Sequence, residues 1–375
     1  MIFDVSGTKF QDIFGDEKFQ LPIRWDGLNF KYAVGRLFDS YISQVHKMCP
    51  KANLRQLNEV CQNLTAAIQT YLDGFPAEAY RCLCKVMEIL VRTPLKLSYS
   101  GETQRMKHQL VGNCTVEVPP LFRVTTVPDN KPYPRERIFH TPYDMRSKVS
   151  SSRYSIAGFP SLYLGTSLEL CCEEIHLNPY QSYGLAGVFR PTGPLRQMEP
   201  EMEIWELSIK PQDFLETQVW ENDTPYGRER RRGSHDGELW LKDEAVRGAY
   251  LMWYPLVAAC SYIRVNKADP FAAEYIIPQL LMQWVRDQMR ESHQRGENAV
   301  VGIRYFSCAS VRASRMGVNY VFPTSGVWKW EKRPYCPVLA KNFRVSKPVY
   351  IHEFDSIAQC EEKLKWAGDL ERIKI

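Results

Sequence analysis

Residues 146–175 read RSKVSSSRYSIAGFPSLYLGTSLELCCEEI, and the order of residue types within them decides how the second half of the chain folds. Gly158-Phe159-Pro160 has the composition of a turn, because glycine tolerates φ values closed to other residues and proline presets its own. Tyr163-Leu164 then closes a short strand. Thr166-Ser167-Leu168-Glu169 matches the T-x-x-E capping box, in which side chains at both ends of the tetrad satisfy backbone amides that a starting helix leaves open. Along the predicted helix Leu168, Cys171, Cys172 and Ile175 fall on one apolar face. At about 100° per residue Glu173 points nearly opposite that face, whereas Glu174 flanks it. Glu174 can therefore stand at the edge of a cleft while Glu173 stays solvated, and Glu173 is the alternative.

Upstream, the first hundred residues carry helical periodicity. Phe30, Val34, Leu37, Phe38, Tyr41 and Val45 recur at three- and four-residue steps, as one buried helix face requires. A second helix is expected from Asn53, with Gln56 reaching back as in a capping box, and Leu57, Val60, Leu64, Ile68 and Tyr71 form its stripe. Asp73-Gly74 ends it, Pro76 suits a first turn, and Tyr80, Leu83, Met87 and Leu90 line a third helix. The pattern is that of a small helical bundle. From about Val111 the texture changes to short β-rich runs, so the domain boundary is placed near residue 115: an N-terminal helical domain over 1–115 and a second domain over 116–375.

Downstream of the glutamate helix lie helical stretches around Ala245 to Tyr262 and Ile276 to Arg290, then GIRYFS and VNYVFP as strands. Alternation of this kind indicates an α+β domain, interrupted by a large helical insertion at about 178–300. The tryptophans and leucines of that insertion recur at helical spacing and read as core. The fold class expected is α+β, a mixed β-sheet core preceded by a helical bundle.

Composition limits the function classes. Hydrophobic residues make up 44% and charged residues 24%, ordinary globular usage that argues against disorder. The net charge of +5 permits a polyanionic ligand without pointing to nucleic acid. The dense basic run Arg228 to Arg232 is broken by Glu229 and reads as a solvated loop. Eleven cysteines contain no C-x-x-C pair, the histidines lack ligand spacing, and no metal site is expected. The N-terminus lacks the basic and apolar regions of a secretory signal, and no apolar run is long enough for a membrane span. A cytoplasmic protein with free thiols and no membrane partner is expected. Neither the dinucleotide fingerprint G-x-G-x-x-G before a helix nor a phosphate-loop lysine motif is present, so hydride transfer and triphosphate hydrolysis are disfavoured.

Phe122-Arg123, the 146–175 segment, GIRYFS and GVNYVFP together resemble the RES-domain family, over roughly residues 119–325. That family pairs an early Arg with an Arg-aromatic step, a G-x-P-x-x-Y-L strand, a helix bearing Glu and a late Y-x-S strand. Here they correspond to Arg123; Arg153-Tyr154; Gly158, Pro160, Tyr163 and Leu164; Glu174; and Tyr305 and Ser307. The family carries Trp where Tyr154 stands, and lacks so long an insertion.

The resemblance implies an ADP-ribosyltransferase-like fold and an enzyme that consumes NAD as substrate, as a toxin or defence effector restrained by an antitoxin or regulatory protein. It implies cleavage of the nicotinamide-ribosyl bond by hydrolysis or phosphorolysis, with transfer of ADP-ribose to a protein or nucleic acid, or a non-catalytic nucleotide or RNA sensor, as the alternatives. The residue types suit that chemistry. Guanidinium groups bind pyrophosphate oxygens through paired charge-assisted hydrogen bonds, the role expected of Arg123 and Arg153, with Arg146 a weaker candidate. Bond cleavage develops positive charge on the ribose, which a fixed carboxylate, Glu174, stabilises in the transition state. Tyr163 and Tyr154 would shape the pocket, Tyr163 by stacking. Ser307 would bind ligand or orient the glutamate; no His-Asp partner pattern surrounds it to make it a nucleophile.

Overall fold

The computed structural model describes residues 7–50, 53–100, 105–110, 115–178, 181–192, 202–219, 241, 243–295, 300–325 and 333–375. In chain order the helices are α1 (Gly7–Phe14), α2 (Phe30–Met48), α3 (Arg55–Leu72), α4 (Pro76–Leu90), α5 (Leu168–Glu174), α6 (Pro211–Val219), α7 (Glu244–Ala259), α8 (Ile276–Gln294), α9 (Pro337–Asn342) and α10 (Ile357–Lys365). The strands are β1 (Lys96–Ser100), β2 (Arg105–His108), β3 (Thr115–Glu117), β4 (Leu121–Thr126), β5 (Ser161–Gly165), β6 (Gly184–Pro191), β7 (Met202–Leu207), β8 (Val300–Phe306), β9 (Val318–Pro323), β10 (Phe343–Val345), β11 (Val349–Tyr350) and β12 (Glu371–Arg372). The chain is α+β, and it divides into two compact units. The basic run Arg228 to Arg232 lies outside the described residues.

Unit 1 comprises Met1–Leu97, Met106–Glu117 and Trp205–Trp284. Its N-terminal helices follow the sequence pattern: Phe30, Val34, Leu37, Phe38, Tyr41 and Val45 are buried on α2, and Leu57, Val60, Leu64 and Ile68 on α3. Asn53 accepts the Arg55 amide at 3.0 Å, but Leu54 is the N-cap, so the capping box centred on Asn53 does not form. The segment 205–284, read from sequence as an insertion in the second domain, belongs to this unit. Its helix α7 is buried from Val246 to Ala259, the apolar core that its composition indicates. Among the described residues Trp205 Nε1 is buried without an acceptor, while four buried hydroxyl and indole groups here are satisfied by backbone oxygens: Tyr41 donates to Leu251, Tyr250 to Ile209, Tyr254 to Phe19 and Trp253 to Thr93. Such pairing removes most of the cost of burying polar atoms.

Unit 2 comprises Ser98–Arg105, Val118–Ile204 and Val285–Ile375. Its strands run in the order β12-β10-β6-β4-β5-β9-β8, with β11 also on β6. The registered pairs within this run are antiparallel. Phe122 and Val124 of β4 and Ala186 and Val188 of β6 make one face, and α5 and α10 cover it through Leu168, Cys171, Cys172, Cys360 and Leu364. Because side chains alternate across a strand, Arg123 and its partner Gly187 lie on the other face. A Cβ on Gly187 would meet Ile138 Cδ1 there at 2.1 Å, so any larger residue would have to displace the tip of the Ile138 side chain.

Candidate active site

Helix α5 is seven residues long, too short to hold together unaided. Its start is fixed twice. Ser167 is the N-cap and accepts the Leu170 amide, and Glu361 of α10 accepts the Leu168 amide at 2.8 Å. The capping box expected from Thr166 does not form: Thr166 Oγ1 accepts the Val318 amide instead, and Glu169 pairs with Arg312. The helix stops at Glu174, leaving Ile175 exposed rather than on the apolar face. Gly165, the last residue of β5, lets the helix approach, since a Cβ there would meet Cys171 Sγ at 2.8 Å and Asn319 Oδ1 at 3.4 Å.

The two glutamates diverge. Glu174 Oε1 accepts a hydrogen bond from Asn319 Nδ2 at 2.5 Å, and Glu173 Oε1 accepts one from Ser310 Oγ at 3.3 Å. Glu174 thus turns toward β9 and the sheet, Glu173 toward the loop after β8. A carboxylate at a helix C-terminus opposes the helix dipole, so stability alone does not favour an acid there.

Asn319 sits in register with Gly165 of β5 and with Tyr305 of β8, and Tyr163 pairs with Val321 two residues along. Tyr163, Asn319 and Tyr305 therefore share the face that α5 covers. Tyr305 is buried, and burial pushes its hydroxyl far above the ordinary phenol range; Glu174, Tyr163 and Tyr154 push it further and Arg153 opposes them. The rings of Tyr154 and Tyr305 lie 4.6 Å apart. Acid, tyrosines and Arg153 form one cluster.

A tight turn delivers the Arg153-Tyr154 step. Ser152 and Ser155 exchange backbone hydrogen bonds at 2.8 and 3.1 Å, leaving Arg153 and Tyr154 at the two central positions. The hydroxyls of both serines lie 2.7 Å from the Tyr163 hydroxyl, tying this turn to β5. Tyr163 thus has a polar anchor in the protein itself.

Arg123 and Ser307 make other contacts. Arg123 rises from the opposite face, and its Nη1 donates to the Tyr163 carbonyl at 3.0 Å, while Nε has no acceptor. Burial lowers this guanidinium to about 10. Ser307 is fully buried just past β8 and its hydroxyl accepts the Ala309 amide at 3.1 Å, while the hydrogen bond to Glu174 comes from Asn319. Sequence reading missed Asn319, Ser152 and Ser155. An asparagine inside the β-rich run GVNYVFP was the available signal, since asparagine is depleted from strands. Among the described residues no group of three or more potential metal ligands gathers, and no helix is long and apolar enough to cross a membrane.

Across 360 residues, 93% of this chain and 72% of the other, the sequence is 26% identical to a Bacillus subtilis (strain 168) protein described as "Putative toxin YopC". No family model matches the chain, and no solved structure matches it.

Proposed function

We propose that this chain is a toxin or defence effector of ADP-ribosyltransferase-like, RES-domain type that cleaves the nicotinamide-ribosyl bond of NAD. The observation that carries the reading is the Glu174 carboxylate, held by Asn319 at the end of a helix and facing a cluster of Tyr163, Tyr305, Tyr154 and Arg153. The toxin description of the Bacillus subtilis relative supports the biological role.

In the reaction the bond between ribose C1′ and the nicotinamide ring nitrogen breaks. Its electron pair returns to the ring and neutralises it, and the ribose becomes an oxocarbenium that water or phosphate then attacks. Glu174 places negative charge beside the carbon that gains positive charge, an interaction strongest in the transition state. Asn319 holds that carboxylate in place, so little reorganisation is needed as the charge develops. Arg153, carried at the tip of the serine-clamped turn, supplies the cation for the substrate's diphosphate. Arg123 acts through Tyr163, whose carbonyl it holds from the far side of the sheet, and Ser307 shapes the loop after β8.

Purified protein incubated with NAD should release nicotinamide. Glu174→Gln should lower the rate by about 100-fold or more, the scale of losing one preorganised charge interaction, with its melting temperature close to the parent's. Equal turnover in this variant removes the mechanism. Label from NAD on a macromolecule would redirect the reading to transfer, and binding without turnover to a sensor.

A further inference from the structure

The turn before β5 carries a second constellation, all of it within unit 2. The Arg286 guanidinium lies 3.5 Å from the centroid of the Phe159 ring, and that of Arg146 lies 5.7 Å from the same centroid and 5.5 Å from that of Tyr143. Each cation gains from the ring faces. Two guanidinium groups gathered on one phenyl ring nevertheless repel one another, and such pairs in proteins normally share a carboxylate. Here, among the described residues, neither Arg146 nor Arg286 has an ion-pair partner or a hydrogen-bond acceptor, and Arg146 Nη2 is buried with none. The nearby acid Asp287 pairs with Arg290 at 3.1 Å. Burial above all, with Arg146 and Arg290 adding to it, brings Arg286 down to about 10 against the pull of Tyr143 and Asp287. The arrangement is costly without an anion and suited to one.

We propose that Arg146 and Arg286, gathered on Phe159, form a binding site for a phosphoryl anion. The two guanidinium carbons are no more than about 9 Å apart, since both distances run to one centroid, so a diphosphate between them can accept paired hydrogen bonds from both. Phe159 lies four residues before Tyr163, roughly 13 Å along an extended chain. The site therefore adjoins the turn and strand that carry Arg153 and Tyr163, and its two forked guanidinium groups suit the paired phosphoryl groups of an ADP-ribosyl diphosphate. Only this choice of ligand rests on the NAD reading; the anion site stands on its own geometry.

The test titrates the full chain with ADP-ribose, inorganic pyrophosphate and orthophosphate at constant ionic strength, reading Kd by calorimetry and the anion-dependent rise in melting temperature. Wild type should bind ADP-ribose and pyrophosphate saturably. Arg286→Gln and Arg146→Gln should each weaken both by about 10-fold or more, the scale of a lost charge-assisted pair, while melting within a few degrees of wild type without ligand. Arg286→Lys should recover only part of the affinity, because an ammonium lacks the planar fork. Saturable binding of orthophosphate with no preference for ADP-ribose keeps the phosphoryl site and assigns it to free phosphate. No saturable binding of any of the three to wild type, or equal Kd values in both glutamine variants, overturns the proposal. Since the readout is binding, an enzyme that releases nicotinamide yet shows unchanged Kd values in those variants loses this site and keeps the Glu174 mechanism.

Discussion

Under the proposed mechanism the Glu174 carboxylate acts only as well as it is held, and among the described residues its side-chain hydrogen bond comes from one amide. Asn319 Nδ2 donates to Glu174 Oε1 at 2.5 Å, and Asn319 is itself 4% exposed while Glu174 is partly exposed, so the donor's end of the bond is the shielded one. Removing the amide frees the carboxylate to sample other rotamers without removing its charge. Asn319→Ala should therefore lower kcat for nicotinamide release by about 10- to 100-fold with a smaller change in KM, as expected when an interaction specific to the transition state is weakened. Asn319→Asp, which sets a second negative charge against the first, should fall further than the alanine variant. A loss confined to KM would show that Asn319 binds substrate rather than positioning the acid. Nothing in the local sequence around Glu174 announces this partner, because it lies 145 residues further on and only strand register brings it there.

Two short elements set the site, and each is held by hydroxyl groups. The Ser152-to-Ser155 turn is fastened to β5 where both serine hydroxyls meet that of Tyr163. The double variant Ser152→Ala/Ser155→Ala leaves the turn's backbone bonds but releases its tip, and it should raise KM for NAD several-fold with kcat changed less. An unchanged KM would mean that Arg153 does not touch substrate. At α5, Ser167→Ala removes the N-cap and should destabilise unit 2 by about 1 kcal/mol in denaturant unfolding; no change would show that Glu361 alone secures the helix start. The α5 stripe, the Gly158 turn and the strand at Tyr163 were legible because each depends on neighbours within a few residues. The side of the sheet that Arg123 occupies was not, since it depends on pairing with Gly187 across a distant strand. The caps slipped by one residue for a related reason: Thr166 is taken by Val318, a partner from β9.

At the scale of the whole chain, local pattern identified segment 205–284 as buried helix but not what it packs with, because an apolar face does not name its partner. It belongs with the N-terminal helices of unit 1. Each unit also encloses a buried histidine that serves as an acceptor. In unit 1, His108 Nδ1 accepts the Leu110 amide, and burial lowers its pKa against Glu206 and Asp243. In unit 2, His140 Nε2 accepts the Cys336 amide at 2.8 Å, which leaves Nδ1–H to donate to Thr141 O at 2.8 Å. Burial, with a smaller push from Arg123, lowers His140 from 6.5 to about 4 against the Thr141 bond. Only the neutral ring can accept the Cys336 amide, so protonation breaks a link between segments 196 residues apart. For a folded-state pKa below the unfolded one, the unfolded chain binds the proton first. The stabilisation is then fully present above about pH 6.5 and is lost as pH falls toward 4. At His140 the whole loss is at most about 3 kcal/mol. Most carboxylates still carry their charge above pH 5, so the interval from 6.5 to 5 isolates the imidazoles. His140→Gln keeps one acceptor and one donor without titrating there. Its melting temperature should match wild type near pH 7.5 and fall less between pH 6.5 and 5, and adding His108→Gln should flatten the remaining slope. An acid limb as steep in the double variant as in wild type would mean that other groups govern the pH dependence.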